Sequence, residues 1–316
     1  MTVIRYDIKP FLRWVGGKFK SINLFARYLP SDVNDRVYVE PFLGSGAMFF
    51  FKQPDHAILS DSNPHLLNAY QAIKIELKRF LDELGKWTGN DSASTFLEAR
   101  TRFNAFKDDA RRFDRASNGY KTIDPEQAAI FVYLIGRCFN GLYRENSSGE
   151  YNVSYAKDLK GTKDLKDTKN FTGISRLLNE KDVALFRSDY KNIKWRVDEM
   201  RASAGRKCFY FLDPVYYPAK PTGFTKYNKT GWDETEFSLL QVFVKKIDES
   251  GDKFMLCNHD VPRIRELFKN YHVEKHVVPR CVSCDAKHRD PVAEVVIMNY
   301  RNASLSDYIK PVATKG

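Results

Sequence analysis

The sequence predicts an α/β protein built on a doubly wound, parallel sheet, and three observations lead to this fold class. Short, continuous apolar runs recur along the chain and alternate with stretches of helical spacing. Several of these runs end in an acidic residue, as in "HAILSD" and "CFYFLD". The first run leads into a glycine loop, "EPFLGSG". Because such sheets bind ligands at the carboxyl ends of their strands, these acids and glycines predict a binding site at that edge.

The elements follow from the apolar runs in chain order. "RVYVEPFLGSGAMFFF", residues 36–51, indicates a buried strand, a glycine loop and the start of a helix, and "HAILSDSNPHLLNAY", 56–70, indicates a second strand and a helix. "HVEKHVV" and "AEVVIMNY", at 272–278 and 293–300, predict a paired hairpin near the end of the chain. Three further strands are predicted in "VALFRSDY", "CFYFLD" and "KFMLCNHD", at 183–190, 208–213 and 253–260.

The middle of the chain, residues 76–182, has a different composition. It is rich in charge and in helical spacing, and it contains a segment rich in Gly and Asn, "RCFNGLYRENSSGEYNVSY". We predict that it is a lobe inserted between the two parts of a catalytic domain, residues 1–75 and 183–316. The lysine-rich stretch "KDLKGTKDLKDTK", 157–169, favours a solvated loop or helix face over a specific contact.

Composition limits the partners. With 316 residues and 43% hydrophobic content, the chain can bury a sizeable core. A net charge of +11 favours a polyanionic partner, nucleic acid first, over a merely basic protein. No apolar run approaches the ~18 residues that a membrane span needs, and the N-terminus lacks a signal-peptide core. We therefore expect a soluble intracellular protein with no membrane partner.

The cysteines give a weak signal. Five cysteines without an export signal argue against a disulfide framework. Cys281-Val-Ser-Cys284 with His288 resembles half of a zinc site, and Cys257 and His259 are the available candidates for the second half. Because a second ligand pair at typical spacing is missing, plain thiols are favoured, and no metal is predicted.

The glycine loop and the second strand predict a nucleoside-bearing ligand. Gly44 and Gly46 lie in the first strand-to-helix turn, where glycine lets a ligand approach the backbone. A P-loop spacing is absent and the dinucleotide fingerprint is incomplete, so the ligand differs from ATP and NAD. Asp61, at the end of the second strand, is placed to bind ribose hydroxyls, to cap the next helix, or to do both.

Several motifs in one order carry a family resemblance. "FLRWVGGKFK", residues 11–20, is similar to an F-L-K-W-x-G-G-K segment, and "CFNGLYRENSSGEYNV", 138–153, to a DNA-reading hairpin. A D-P-x-Y turn at 213–216, "FTKYNKTGW" and "CNHD" follow. Over about residues 10–300 the chain resembles the Dam-type (D12 class, alpha group) DNA adenine N6-methyltransferases of bacteria and phage. The resemblance implies a Rossmann-like methyltransferase sheet that uses S-adenosylmethionine, with an inserted, mostly helical DNA-recognition lobe.

The resemblance also implies a reaction and its residues. A methyl group would pass from S-adenosylmethionine to adenine N6 in double-stranded DNA, at GATC or a related short site, in the cytoplasm of a bacterial cell or a phage-infected host. No obligate protein partner is evident. The implied cofactor residues are Trp14, Lys18, Glu40, Phe42, Gly44, Gly46, Asp61, Asp189 and Asp213. The implied DNA-binding residues are Arg13, Asn140, Leu142 and Arg144. Taken singly, Trp14 could be a packing residue and Lys18 a surface charge.

The chemistry assigns roles to the turn after the fourth strand. The lone pair of adenine N6 is delocalised into the ring, so Asp213 and the Pro214 carbonyl would each accept an N6–H bond and favour the pyramidal nitrogen. Tyr216 would stack on the base. The base must leave the helix, because its amino group cannot reach a pocket from inside the duplex.

The sequence departs from the family pattern at two positions. Val215 stands where the D-P-P-[YFW] turn has its second proline, and Ser154 stands where N-V-P-F-G has proline. A proline at 215 would fix its own φ and push Pro214 towards extended backbone, which valine permits without enforcing. Two alternatives stay open: a catalytically impaired DNA-binding homologue, and an amino-methyltransferase for cytosine N4, RNA or protein. Asp213 and the reading hairpin favour adenine in DNA.

Overall fold

The computed structural model describes residues 7–106, 113–114, 119–156, 164–219, 232–278 and 292–301. The strands are β1 (Val37–Glu40), β2 (His56–Asp61), β3 (Phe113–Asp114), β4 (Gly119–Tyr120), β5 (Asp182–Arg187), β6 (Cys208–Leu212), β7 (Lys253–His259), β8 (His272–Val278) and β9 (Val292–Met298). The α-helices are α1 (Ile22–Ala26), α2 (Ala47–Lys52), α3 (Pro64–Ile75), α4 (Leu77–Thr88), α5 (Ala93–Phe106), α6 (Pro125–Arg137), α7 (Thr168–Glu180), α8 (Lys194–Ala204), α9 (Glu234–Glu249) and α10 (Pro262–Leu267).

A seven-stranded sheet forms the centre of the protein, in the order β5-β2-β1-β6-β7-β9-β8. The neighbours from β5 to β7 pair in parallel, whereas β9 runs antiparallel to both β7 and β8. The doubly wound α/β class and the C-terminal hairpin are thereby confirmed. Strand order reverses between β1 and β6, and the carboxyl ends of these two strands therefore form the crevice where such sheets bind ligands.

Helices on both faces explain why the strands are apolar throughout. Tyr38 of β1 belongs to a hydrophobic cluster on one face, while Val37 and Val39 belong to a second cluster on the other. Residues of α2, α3, α6 and α7 complete the first cluster, and residues of α8, α9 and α10 complete the second. Because these strands are covered on both faces, neither face needs polar side chains, and their sequences are continuous apolar runs.

Helix starts follow local capping chemistry. The Asn63 side chain caps α3 by accepting hydrogen bonds from the N–H groups of His65 and Leu66, and Pro64 occupies the first turn. The predicted N-cap role of Asp61 is therefore wrong, because the cap lies two residues further on. Asp124 caps α6 in the same way by accepting from the Gln127 N–H.

The stretch predicted as an inserted lobe contains α4 to α7. Helix α6 packs against α3, α4 and α5 and is buried along most of its length. Its core residues belong to the same hydrophobic cluster as the helices on the sheet, and the domain division stays a prediction. In the lysine-rich stretch, residues 157–163 lie outside the described residues, whereas Leu165 is buried. None of the helices in the described ranges combines the length and apolar character that a membrane crossing requires.

Candidate active site

The turn after β6 holds a buried ion pair. Asp213 follows β6, and its Oδ1 lies 2.9 Å from Nζ of Lys18, whose side chain is only 8% exposed. Nζ also donates to the Gly16 carbonyl at 3.1 Å. Burial by itself would lower the pKa of Lys18, but attraction to Asp213 and Glu294 raises that pKa above its ordinary value. Lys18 is thus a buried cation, and its interpretation as a surface charge is wrong.

The ion pair leaves room for a ligand at Asp213. Oδ1 faces Nζ of Lys18 at contact distance, and the Asp213 side chain remains 18% exposed, so the carboxylate can still meet a ligand. No described group donates a hydrogen bond to the carbonyl of Pro214, the next residue. A buried acceptor without a donor is costly. This end of β6 therefore suits a ligand that brings N–H groups.

The glycine loop after β1 reaches the same edge of the sheet. Gly44 and Gly46 have φ values of +47° and +64°, where a side chain would be strained. A Cβ on Gly44 would lie 2.9 Å from Cδ1 of Trp14, and one on Gly46 would lie 2.8 Å from the Tyr70 hydroxyl. Trp14 therefore packs directly on the loop, and both positions require glycine for space as well as for conformation.

Asp61 ties this loop to the end of β2. Its Oδ2 accepts a hydrogen bond from the Gly44 N–H at 3.0 Å, and its Oδ1 accepts one from the Asn63 N–H at 3.0 Å. Burial raises the pKa of Asp61, and these N–H groups oppose the shift. Each carboxylate oxygen still has a second lone pair, so the role predicted for Asp61 at a ribose stays a prediction.

Glu40 brings a buried carboxylic acid to the end of β1. It is 2% exposed and accepts a hydrogen bond from the Tyr38 hydroxyl at 2.7 Å. Burial is the main reason that its pKa is raised well above the ordinary value, and repulsion from Asp213 and Asp61 adds to the shift. The edge of the sheet thus gathers acidic groups that repel one another, an arrangement that a cationic ligand would relieve.

An aromatic wall stands beside these acids. The Phe42 ring lies 5.0 Å from that of Tyr190 and 5.9 Å from that of Trp232, measured between centroids. Asp189 precedes Tyr190 and accepts a hydrogen bond from the Lys191 N–H at 2.9 Å. Through Ser188, whose N–H donates to the Asp61 carbonyl at 3.1 Å, the end of β5 is joined to the end of β2.

The turn 213–217 is held from the neighbouring strands. Tyr217 donates its N–H to Oδ1 of the fully buried Asn258 at 2.8 Å, and its carbonyl accepts from Nδ1 of His259 at 2.7 Å. The Tyr216 hydroxyl donates to Oε2 of Glu294 at 3.0 Å, and its ring meets that of His259 edge to face. Contacts from β7 and β9 therefore fix this backbone although Val215 does not.

The predicted DNA-binding residues lie together where the N-terminal segment meets the hairpin. Arg13 donates from an Nη to Oδ1 of Asn140 at 3.0 Å. Gly141 follows with φ +64°, and a Cβ there would lie 1.8 Å from the Arg13 carbonyl oxygen. Leu142 packs on the main hydrophobic cluster. These contacts join two segments that are distant in the sequence into one surface.

The hairpin itself carries Arg144 on its exposed side. An antiparallel bridge pairs Glu145 with Tyr151, and Arg144 Nε donates to Oδ1 of Asn152 at 2.8 Å. That bond orients the guanidinium, and among the described residues no group accepts a hydrogen bond from its two terminal nitrogens.

Comparison with known proteins identifies the family of this chain. A family model described as D12 class N6 adenine-specific DNA methyltransferase matches residues 14–280. The chain belongs to this family. It is therefore an enzyme that acts on DNA and methylates adenine at N6, which confirms the adenine interpretation over cytosine N4, RNA or protein.

Individual relatives of this D12 methyltransferase extend along most of the chain. It is 32% identical to the type II methyltransferase M.MjaIII of Methanocaldococcus jannaschii, over 93% of this chain and 100% of that protein. It is 29% identical to the type II methyltransferase M1.LlaDCHI of Lactococcus lactis subsp. cremoris, over 94% and 98%. It is 25% identical to a DNA adenine methylase of Vibrio cholerae, over 92% and 95%.

The sequence assigns no role in the site to three residues that hold the turn after β6, although two of them belong to the "CNHD" motif. Asn258 and His259 end an apolar run with polar residues, the same signal that identified Asp61 and Asp213. Glu294 interrupts an apolar strand with an acid, but no local pattern shows that it meets Tyr216. Among the cysteines, Cys257 is fully buried in β7, while Cys281, Cys284 and His288, where plain thiols are favoured over zinc, and most of "FTKYNKTGW" lie outside the described residues.

Proposed function

We propose that this methyltransferase transfers a methyl group from S-adenosylmethionine to N6 of an adenine flipped out of duplex DNA, at GATC or a related short site. One observation carries the proposal: at the crevice between β1 and β6, Lys18 holds the Asp213 carboxylate, and the carbonyl of the next residue, Pro214, accepts no hydrogen bond from the described residues. Adenine N6 brings two N–H donors, one for the carboxylate and one for this carbonyl.

The acidic crevice fits S-adenosylmethionine as the methyl donor. Its ammonium and sulfonium groups would relieve the repulsion among Glu40, Asp61 and Asp213 that contributes to the raised pKa of Glu40. Gly44 and Gly46 would admit it close to the backbone, with Trp14 behind the loop. The aromatic wall of Phe42 and Tyr190, next to Asp189, would take its adenine ring. When bound, this cofactor supplies an electrophilic methyl group on a sulfonium.

The residues of the turn would then prepare the amino group. Asp213 and the Pro214 carbonyl accept the two N6–H bonds and turn the nitrogen lone pair towards the methyl group. Positive charge develops on N6 during the transfer, and the Asp213 carboxylate stabilises it. Tyr216 stacks on the extruded base. Lys18 holds the Asp213 carboxylate in place, so its role concerns the target base as much as the predicted cofactor pocket.

Nucleoside analysis tests the proposal directly. The protein is incubated with methyl-labelled S-adenosylmethionine and duplexes that contain GATC, a site altered at one base pair, or no adenine, and the DNA is digested to nucleosides. We expect label in N6-methyl-2′-deoxyadenosine from the GATC duplex. Label that is equal in the first two duplexes would contradict the GATC assignment, and an absence of label from all of them would favour the impaired homologue.

Replacing Val215 by proline should raise the single-turnover rate of methyl transfer and leave cofactor and DNA binding unchanged. No described group accepts a hydrogen bond from the Val215 N–H, so proline would remove no bond, and it would fix the aim of the Pro214 carbonyl. A gain of up to about 1 kcal/mol in the free energy of unfolding should accompany the change. Val215→Ala, which adds no constraint, is the control. A lower rate in Val215→Pro with the circular dichroism intact would show that the turn has adapted to valine.

Replacing Arg144 by alanine should reduce sequence discrimination. The Asn152 side chain orients the guanidinium towards a bidentate contact with guanine, so the preference for GATC over a site altered at one G·C pair should shrink by about 1–3 kcal/mol. Binding titrations on both duplexes measure it. The control, Arg176→Ala at an exposed position of α7, removes the same charge far from the hairpin along the chain. An equal loss of affinity for both duplexes would identify Arg144 as a phosphate contact.

A further inference from the structure

Glu294 reaches the turn after β6 from a strand that the family comparison does not cover. It lies on β9, opposite His259 in the antiparallel register with β7, and the family model ends at residue 280. Its Oε2 accepts the hydrogen bond of the Tyr216 hydroxyl at 3.0 Å. Tyr216 lies three residues after Asp213, so Glu294 contacts the same turn that carries Asp213.

Lys18 lies close to the carboxylate of Asp213 and to the Tyr216 side chain that binds Glu294. Its Nζ lies 2.9 Å from Oδ1 of Asp213 and 4.7 Å from the centre of the Tyr216 ring, whose hydroxyl is bound to Glu294. Lys18 and Glu294 also act on each other's protonation. Burial raises the pKa of Glu294 and Lys18 opposes the shift, while Glu294 helps to raise the pKa of Lys18.

The charge balance at Asp213 makes this arrangement important for the reaction. During methyl transfer, positive charge passes to adenine N6, and a neighbouring carboxylate stabilises it. Lys18 alone would cancel most of the field of Asp213 at that nitrogen, because the two charges are in contact. A second carboxylate behind Tyr216 restores a net negative charge. The buried thiol of Cys257, whose pKa burial raises, stays uncharged and does not supply it.

We propose that Glu294 is a positioning residue for methyl transfer: its charge offsets that of Lys18, so that Asp213 acts as a negative acceptor, and its carboxylate holds the Tyr216 hydroxyl. The inference rests on the proposed role of Asp213 at adenine N6. It assigns to β9 a part in the reaction that neither the motifs nor the family match contains.

Two conservative variants separate the charge of Glu294 from its contact. Glu294→Gln keeps the length and an acceptor for the Tyr216 hydroxyl but loses the charge, whereas Glu294→Asp keeps the charge on a shorter side chain. We expect the single-turnover rate to fall about tenfold in Glu294→Gln, a barrier increase of about 1.4 kcal/mol, and to fall less in Glu294→Asp. Calorimetric affinities for S-adenosylmethionine and DNA should stay at parental values, which a merely structural role would not predict.

Glu274→Gln is the matched control, because Glu274 is exposed on the adjacent strand β8. Its rate should equal that of the parent. A parental rate in Glu294→Gln, or a rate lower in Glu294→Asp than in Glu294→Gln, would overturn the inference. Asp213→Ala, assayed in parallel, separates a failure of the proposed function from a failure of the inference about Glu294. If Asp213→Ala remains active, the proposed function is wrong. If Asp213→Ala is inactive while Glu294→Gln has the parental rate, only the role of Glu294 is wrong.

Discussion

Replacing Asp213 by asparagine should lower the single-turnover rate of methyl transfer by on the order of 10²–10³-fold, the usual cost of removing one group aimed at developing charge in an active site. Asparagine has nearly the same shape and keeps one acceptor, but it cannot offset the positive charge that develops on N6. Affinity for S-adenosylmethionine should change by less than about tenfold, because we assign Asp213 to the target base. Quenched single-turnover assays and calorimetry measure the two quantities.

The ion pair with Lys18 complicates the simpler variant Asp213→Ala. Removing one member of a fully buried pair costs about 3–5 kcal/mol, and we expect less here because the Asp213 side chain is 18% exposed. The double variant Asp213→Ala with Lys18→Met removes both charges. It should recover the free energy of unfolding in urea but not the methylation rate. This difference separates the catalytic role of Asp213 from its part in stability.

Asp198→Asn, at an exposed carboxylate of α8, is the control for the loss of one negative charge, and its rate should match the parent. If Asp213→Asn turned over at close to the parental rate, the assignment of Asp213 to adenine N6 would be wrong. If the double variant regained activity together with stability, Asp213 would serve only to neutralise Lys18.

The strands could be predicted because a sheet covered on both faces imposes a simple pattern. Each strand of the parallel part is an apolar run, and Asp61 and Asp213 mark where two of these runs end. Parallel strands bring such ends to one edge, so the place of the crevice followed from chain order alone. The resemblance then supplied the reaction, since a carboxylate at the end of a strand does not by itself identify a methyl acceptor.

Contacts between distant segments could not be predicted in this way. The sequence around Lys18 does not distinguish it from an exposed lysine. Lys18 is buried because the folded N-terminal segment brings it against Asp213. The sequence predicts Asp61 as a possible cap of α3, whereas the structure places the cap two residues later. The cap fell to Asn63 because Asp61 already accepts two backbone N–H groups, one of them from the distant Gly44.

The departure at Val215 shows the same limit. The sequence shows that the turn lacks the conformational restraint of a second proline. It does not show which contacts hold the turn instead. Asn258 and His259 bind both backbone polar groups of Tyr217, and Glu294 binds the side chain of Tyr216. These contacts keep Tyr216 and Tyr217 in place without a second proline, which argues against reading Val215 as a sign of lost activity, while the aim of the Pro214 carbonyl is left for Val215→Pro to improve.

Replacing Gly141 by alanine should reduce methylation of the recognised site more strongly than the same replacement at any other described glycine. The new Cβ would lie 1.8 Å from the Arg13 carbonyl oxygen and 2.7 Å from its carbonyl carbon. Both are backbone atoms, and neighbouring Phe11 and Leu12 are buried at 3% and 2% exposure. The N-terminal segment therefore cannot yield, and the base of the hairpin must move away.

Two costs add at this position. A non-glycine residue at φ +64° is strained by about 1–3 kcal/mol, and an overpacked contact costs about 1–3 kcal/mol more. The hydrogen bond from Arg13 to Asn140 should also be lost. Because misplacement of about 1 Å can cost 10²-fold in rate, methylation of a GATC duplex should fall by about that factor at limiting DNA concentration.

Gly205→Ala separates the strain from the collision. Gly205 has nearly the same backbone conformation, φ +62°, but a Cβ there would meet nothing within 4 Å. It should lose about 1 kcal/mol of stability through strain alone and methylate DNA at the parental rate. Urea unfolding and initial rates on the GATC duplex compare the two variants. If Gly141→Ala behaved like Gly205→Ala in both measurements, the hairpin would tolerate separation from Arg13, and the joint surface of Arg13 and Asn140 would not be the one that reads DNA.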